Sequence, residues 1–437
     1  MTRRPAAALG CAGLLTLCAA RADAEPAIFD YAVSAGLAYS NNVGLTAANA
    51  VASTSAVAGL QLDAKRATGR LHYLAAGDLS YYDYFVKSIH SQLFGQVNGS
   101  GTYDIVPGSF QWMAAGSYGQ VRQDLARAAA PGNLENLLSL TTGPSIKARF
   151  GHALEATLDA RVARQAYSKL GNDNNTVGLQ LVLDHRPSAN TLFGIGASFD
   201  DVTYPRRAGV AAVDYKRREA FVRYDASAIR THISADVGYA KITGGRSSSS
   251  GPLFRVRATR RLTPSLSAFI AYEQQYPTSQ TQALAPLPGA GVGGIDGAAL
   301  TAAPRLSKNA SAGLIFARPR TSFDLTYSHL NESAQLGVPG QRTYDLTGAR
   351  VSRALSPRSS ASIYATYAAE NLPFLSLKNQ EKSVGGQLSF GWGKSLSVDL
   401  RLGYSDRHSS IPLNGYSEFN GGVFLRYGRV QQPFAGR

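Results

Sequence analysis

The chain has 437 residues and a formal net charge of +15, yet charged residues make up only 17% of it, below the roughly 25% of a typical soluble domain. A hydrophobic content of 44% excludes a disordered chain. After Ala24 no apolar run of about 18 residues occurs, which excludes transmembrane helices. Low charge together with 44 Gly and 22 Tyr favours a sheet that crosses a bilayer.

The N-terminus is predicted to be a secretory signal peptide, residues 1–24. Arg3 and Arg4 precede a short apolar stretch, and Ala22-Asp23-Ala24 gives a small-x-small cleavage pattern. A membrane anchor or a lipoprotein is the weaker interpretation. Both cysteines lie inside this segment, so no disulfide or thiolate metal site is expected beyond it. Removing its three arginines and one aspartate leaves residues 25–437 at +13.

From Phe29 onward, segments of alternating polarity recur, each long enough for a tilted membrane strand of about 9–11 residues. One such segment places Val398 and Leu400 on one face, with Asp399 and Arg401 on the other. A period of two indicates the opposite faces of a sheet, whereas a helix would need apolar residues three and four apart.

Short connections with Pro and Gly alternate with longer loops along the chain. The short ones are residues 106–108, 185–188, 262–265, 318–320 and 392–394, and the long ones are 123–138, 168–175, 244–251 and 277–306. This alternation of short turns and long loops is typical of outer-membrane barrels, whereas the connections of a soluble sandwich or propeller need not alternate in length. The sequence therefore predicts an all-β fold, a transmembrane antiparallel up-and-down β-barrel of about 18–20 strands over residues 25–437. The last strand is expected at 421–427, with 427–437 as a periplasmic tail; the alternative is that Phe434 provides the terminal aromatic signal.

Aromatic residues cluster near the predicted strand ends, where interfacial girdles are expected. The candidates are Tyr81, Tyr82, Tyr84, Phe85, Tyr272, Tyr276, Tyr364, Tyr367, Phe390 and Trp392.

If the apolar rows face lipid, the polar rows face the lumen and carry many charges. With the remaining chain at +13, we expect a net-basic lumen that concentrates anions. Ion-pair ladders between neighbouring strands, and arginines placed at the turns, are the alternative explanations. The residues predicted to line the lumen and bind substrate are Arg255, Arg257, Arg401 and Arg426, with Phe269, Tyr364 and Phe424 as sugar-stacking platforms.

The loop at residues 277–306 is long enough to fold inward as a constriction or lid. No catalytic constellation is recognised: the histidines lack metal-ligand spacing, and Ser328 and His329 would point to opposite faces of a strand. We therefore expect no enzyme activity, no cofactor and no metal.

The stretch Tyr39-Ser40-Asn41-Asn42-Val43-Gly44-Leu45-Thr46, together with Leu140-Thr141-Thr142-Gly143-Pro144-Ser145, resembles a family of β-barrel porins associated with exopolysaccharide or capsule gene clusters. The resemblance extends loosely over the predicted barrel. It implies an outer-membrane exit for a polymer that periplasmic and inner-membrane partners assemble, and it brings no catalytic residues.

Three functions follow as hypotheses. The first is the outer-membrane exit for an anionic or neutral exopolysaccharide, working with periplasmic export or co-polymerase proteins. The second is a general diffusion porin for small anionic solutes, and the third is a non-conducting structural or assembly barrel. Membrane lipid and lipopolysaccharide are expected partners of all three, and nucleic acid is not.

Overall fold

A computed structural model gives the fold and describes residues 28–67, 69–169, 171–205, 213–278, 304–336, 340–393 and 395–428. The predicted signal peptide (1–24) and most of the predicted tail (427–437) lie outside these ranges. No helix among the described residues is long and apolar enough to span a membrane.

The described chain is built almost entirely from strands. They are β1 (Ile28–Ser40), β2 (Ser53–Arg66), β3 (Leu71–Tyr84), β4 (Gln92–Val106), β5 (Phe110–Arg122), β6 (Leu134–Phe150), β7 (Leu154–Tyr167), β8 (Asn174–Ser188), β9 (Thr191–Thr203), β10 (Tyr215–Ser227), β11 (Thr231–Gly244), β12 (Ser247–Thr263), β13 (Leu266–Gln275), β14 (Arg305–Arg318), β15 (Thr321–Ala334), β16 (Gln341–Ser356), β17 (Ser359–Leu372), β18 (Leu377–Trp392), β19 (Leu396–Ser409) and β20 (Tyr416–Gly428).

Every strand pairs antiparallel with the next one along the chain, and β1 pairs with β20, so the 20-stranded sheet closes on itself. Closure gives the backbone groups of the first and last strands their partners, which hydrocarbon could not supply. The predicted all-β up-and-down barrel is confirmed, at the upper end of the expected strand number. The last strand begins at Tyr416, earlier than the predicted residue 421.

Short and long connections lie at opposite ends of the barrel, which we call the turn end and the loop end. All five predicted short turns lie at the turn end. Two predicted loops are shorter than expected, because β6 already begins at Leu134 and the connection from β11 to β12 is only Gly245 and Arg246. Gly245 has a φ of +55°, a conformation that glycine adopts without strain. The polar residues 247–251, which were predicted as loop, form the first part of β12.

The outer face of the barrel is an apolar band between two rows of aromatic rings. Tyr39, Tyr81, Phe199, Tyr239, Tyr272, Tyr367, Tyr404 and Phe419 lie toward the loop end, and Phe29, Tyr103, Trp112, Phe193, Phe390, Trp392 and Tyr427 lie toward the turn end. Of the predicted girdle residues, Tyr82, Tyr84 and Tyr364 point inward and Tyr276 is buried. Adjacent strand residues face opposite sides, so a cluster of tyrosines in the sequence cannot form one girdle.

Candidate functional site

The cross-strand register fixes which residues share the inner face of the barrel. Arg426, for example, lies opposite Ser34 of β1 and Ser397 of β19, and the polar residues of the other strands follow the same alternation. All seven residues predicted to bind substrate lie on this face. Their role in substrate binding stays a prediction.

The inner face carries charges of both signs. Its basic residues are Lys65, Lys147, Arg149, Arg161, Arg217, Arg223, Arg255, Arg257, Arg261, Arg305, Arg342, Arg350, Arg401, Arg407 and Arg426. Arg122 reaches the lumen from the end of β5, where that strand no longer pairs with β4. Its acidic residues are Asp30, Asp63, Asp78, Asp104, Glu135, Glu155, Asp159, Asp184, Asp200, Glu219, Asp225, Asp236, Glu273, Asp324, Glu332, Glu370, Glu381, Asp399 and Glu418.

The expected net-basic lumen is therefore wrong for the strands that the structure describes, because acidic side chains there are at least as numerous as basic ones. Other basic residues lie elsewhere: Lys216, Arg218 and Lys241 point outward, and Arg230 and Arg320 sit at turns. The charge of the whole chain did not reveal which face each basic residue occupies.

Carboxylates neutralise three of the four predicted lining arginines. Arg255 lies 3.4 Å from Asp236 and 3.6 Å from Glu219. Arg401 and Arg426 share Asp399, at 3.8 and 3.6 Å, and this carboxylate is fully buried. Pairing along one strand and across nearby strands in this way stabilises the wall and leaves little free positive charge for a solute.

The predicted stacking rings lie against the wall, each over a glycine of the neighbouring strand. Phe269 faces Gly313, Tyr364 faces Gly385, and Phe424 faces Gly36. Without a Cβ, each glycine leaves room for the ring to lie flat.

Guanidinium groups cover two of these rings from the lumen side. The guanidinium of Arg257 lies 4.8 Å from the centre of Phe269, and that of Arg401 lies 4.7 Å from Phe424. The two phenyl rings are only 7% and 5% exposed. Tyr364 is half-buried and is the most accessible of the three.

Sequence reasoning missed a fourth ring of this kind, Phe221 on β10. Its ring lies over Gly196 of β9, between the guanidinium groups of Arg223 at 5.4 Å and Arg255 at 5.1 Å, and its partner on β11 is Gly238. An arginine–aromatic contact of this type is worth about 0.5–2 kcal/mol. The arrangement depends on which glycine lies opposite which ring, and only the register gives that.

Residues 123–133, between β5 and β6, form a folded loop that we call the inward loop. The Asn133 side chain closes it by accepting a hydrogen bond from the Asp124 backbone N–H and donating to the carbonyls of Asp124 and Ala128, at 2.8–2.9 Å. These bonds satisfy backbone groups that a loop would otherwise leave without partners.

The inward loop is fixed to the opposite wall of the barrel. Arg122, at the end of β5, makes two bonds to the carboxylate of Glu370 on β17, at 3.2 and 3.3 Å. The same guanidinium donates to the Leu125 carbonyl, and Arg407 of β19 donates to the Ala126 carbonyl at 3.3 Å. In the closed sheet β5 and β17 are far apart, so these bonds cross the lumen.

Glu370 belongs to a buried chain of charges, which we call the cross-lumen network. Arg342 donates to Glu370 at 2.8 Å and lies 3.9 Å from Glu332, which pairs with Arg305 at 3.3 Å. The side chains of Arg122, Glu370, Arg342 and Glu332 are at most 6% exposed. Charges buried this deeply depend on their partners, because removing one partner leaves an uncompensated charge.

The end of β5 separates from β4 so that the loop can enter the lumen. Pairing of β4 with β5 stops at Val97 and Tyr118, whereas pairing of β5 with β6 continues to Arg122 and Leu134. The Gln120 side chain fills the gap, accepting from the Gly95 N–H at 2.9 Å and donating to the Leu93 carbonyl at 2.7 Å.

The predicted constriction at residues 277–306 lies largely outside the described residues. The residue just before it is described: Tyr276 is buried, and its carbonyl accepts a hydrogen bond from Arg217 of β10 at 2.9 Å. The described part of the chain contains no group of three or more His, Cys, Asp or Glu that could hold a metal ion.

No family model and no curated protein matches the chain. Solved structures with a similar fold include the FrpB iron transporter from Neisseria meningitidis in its apoprotein form, at 9% identity and a TM-score of 0.49, covering 92% of this chain and 81% of that one. The siderophore receptor PirA from Pseudomonas aeruginosa has 11% identity and a TM-score of 0.44, and the match covers 92% of this chain and 80% of that one. A BenF-like porin from Pseudomonas fluorescens Pf-5 has 8% identity and a TM-score of 0.39, and the match covers 92% of this chain and 99% of that one.

The outer face, rather than these distant similarities, carries the assignment to a membrane. A closed sheet with an apolar outer band, two aromatic rows, short turns at one end and longer loops at the other is the architecture of outer-membrane proteins. The protein is an outer-membrane β-barrel. Its turn end is periplasmic and its loop end extracellular.

Proposed function

We propose that the protein is a gated outer-membrane channel for a hydroxyl-rich polymer, an exopolysaccharide, and that it catalyses no reaction. The observation that carries this proposal is the inward loop held across a wide, polar lumen by Arg122 and Glu370. A barrel of this strand number is wide enough to contain water. A loop fixed across it keeps the membrane sealed until a partner or the polymer displaces it.

The inner wall supports a neutral or weakly charged polymer. Donors and acceptors alternate on it, as in Arg426 with Ser397 and Gln61 with Asp78, at 3.2 and 2.7 Å. Sugar hydroxyls both donate and accept, so a wall of this kind can exchange bonds with a moving chain. A porin for small anions is the second candidate, and the balance of charges on the wall argues against it.

The test combines channel conductance with polymer release. In planar bilayers the wild type should conduct little, and replacing residues 124–132 by a short Gly-Ser linker should raise conductance about tenfold or more. The control variant shortens residues 85–91, the connection between β3 and β4, and should stay closed. An open wild-type channel with strong anion selectivity would favour the porin.

Transport is measured in cells that lack the gene. Loss of extracellular polymer, restored by the wild-type gene, is the expected result. Normal polymer release without the protein would overturn the export function, whatever the conductance of the channel.

A further inference from the structure

Three basic side chains stand together on the outer face of the barrel, at its extracellular end. Lys216 and Arg218 belong to β10 and Lys241 belongs to β11, and all three are exposed. They point outward because they alternate with inward residues such as Arg217 and Glu219. They therefore take no part in the lumen.

The register places two of these positive charges side by side. Arg218 lies directly opposite Lys241, and the residues that flank this pair on β9 and β12 are Phe199 and Ser250. Like charges directly opposite each other destabilise a sheet. Lys216 is 3.8 Å from Asp201, its neighbour on β9, so the cluster retains an excess of positive charge.

The height of the cluster matches that of lipid headgroups. On β10 the outward residues after Arg218 are Ala220, Val222 and Tyr224, and on β11 the outward residues before Lys241 are Val237 and Tyr239. The Arg218 guanidinium lies 6.0 Å from the ring centre of Phe199, in the extracellular aromatic row. Aromatic rows mark the level where hydrocarbon ends and headgroups begin.

We propose that Lys216, Arg218 and Lys241 form a binding site for a phosphate group of lipid A, the membrane anchor of lipopolysaccharide. A phosphate accepts two parallel bonds from a guanidinium and is attracted to the ammonium beside it. Its negative charge removes the repulsion between Arg218 and Lys241. The acyl chains of the same lipid lie along the apolar band below. This site rests on the location of the barrel in the outer membrane and is independent of what the channel carries.

Another part of the same rim provides a contrast. On β18 the outward Lys382 lies directly opposite Asp406 of β19, which is the ordinary pairing of opposite charges. Lys378 and Lys382 supply two basic residues at a similar position on the other side of the barrel. They serve as the matched control.

The experiment titrates the full-length barrel in detergent with diphosphoryl lipid A and with the same lipid after removal of its phosphates. The wild type should bind the phosphorylated lipid more tightly. Replacing both residues, Arg218→Gln with Lys241→Gln, should weaken that binding about 10-fold to 30-fold. Each of the two basic residues contributes its own attraction to the charged lipid, and the double variant loses both contributions. Binding of the dephosphorylated lipid should stay the same.

The control, Lys378→Gln with Lys382→Gln, removes the same charge, but Lys382 already lies opposite Asp406 and the two lysines form no pair of like charges. It should therefore change the affinity less than about threefold. If the double variant fails to fold, judged by its mobility on unheated gels, the single variant Lys241→Gln should show a smaller loss in the same direction. Equal affinity for both lipids in the wild type, or an equal loss in the cluster and control variants, would overturn the proposal.

Discussion

Two sets of ion pairs inside the barrel use the same residue types for different purposes. The pairs along the wall, such as Arg223 with Asp236 at 2.9 Å, join neighbouring strands and remain partly exposed, at 32% and 16%. In the cross-lumen network the pair of Arg122 with Glu370 joins β5 to β17, and these two side chains are only 6% and 4% exposed. Wall pairs reinforce contacts that the backbone already makes. The pair of Arg122 with Glu370 creates a contact that no backbone ladder provides, so it decides where the inward loop lies.

The largest difference is expected when one carboxylate is removed from each set. Glu370→Ala leaves Arg122 and Arg342 buried without their shared partner and should lower the free energy of unfolding by about 3–5 kcal/mol. Asp236→Ala affects partly exposed arginines and should cost about 1 kcal/mol. Urea unfolding in detergent micelles measures both. Equal losses would mean that burial does not distinguish the two sets.

A smaller effect is expected when only the loop is released. Arg122→Ala removes the bond to Glu370 but leaves the pair of Glu370 with Arg342 in place. The inward loop contains Arg127, a site for trypsin. Cleavage there in intact cells should become about tenfold faster, because the free energy that holds the loop in its closed position falls by roughly 1.4 kcal/mol.

The matched control for loop release is Arg223→Ala, which breaks a wall pair. It should leave the cleavage rate at Arg127 unchanged. An accelerated rate in this variant would show that the wall pairs also hold the loop.

The contact between rings and glycines can be tested at two adjacent positions of β18. In Gly385→Ala the new methyl group would collide with the ring of Tyr364, and we expect a loss of about 1–3 kcal/mol from overpacking. In Gly386→Ala the methyl group points outward and meets only the Ser362 carbonyl at 3.6 Å. That variant should lose less than about 0.5 kcal/mol. Equal losses would show that strand propensity, rather than the ring, determines the cost.

The smallest effect is expected at the periplasmic end of the wall. Arg149 and Glu155 pair at 2.9 Å, but the arginine side chain is 67% exposed. Glu155→Gln should change stability by less than about 0.5 kcal/mol, and the difference should vanish in 1 M salt. A loss as large as that of Asp236→Ala would place this exposed pair in the same class as the rest of the wall.

Local patterns in the sequence were sufficient to predict the barrel. Alternation around residues such as Val398 and Asp399 gives the strands, and turns rich in Pro and Gly give their ends, because both are short-range effects. The same alternation correctly predicted that Arg255 and Phe424 lie on the inner face of the barrel. Tyr81 points outward and Tyr82 inward, and the prediction was wrong for Tyr82 because it treated neighbouring tyrosines as one girdle cluster.

The contacts across the lumen could not be predicted in this way. Arg122 and Glu370 are 248 residues apart in the chain, and nothing near either residue indicates its partner. Their meeting depends on closure of the whole sheet and on the departure of β5 from β4. The balance of charge in the lumen was missed for a related reason, since net charge does not tell which face a residue occupies.

The pairing of β1 with β20 has a practical consequence. Ala32 lies opposite Gly428, so the two outermost strands begin and finish beside each other at the periplasmic rim. A short linker from Gly428 to Ile28, with new termini opened at residues 85–91, would give a circularly permuted chain that keeps every strand neighbour. Such a chain could display a fused peptide on the cell surface without interrupting the ladder of hydrogen bonds.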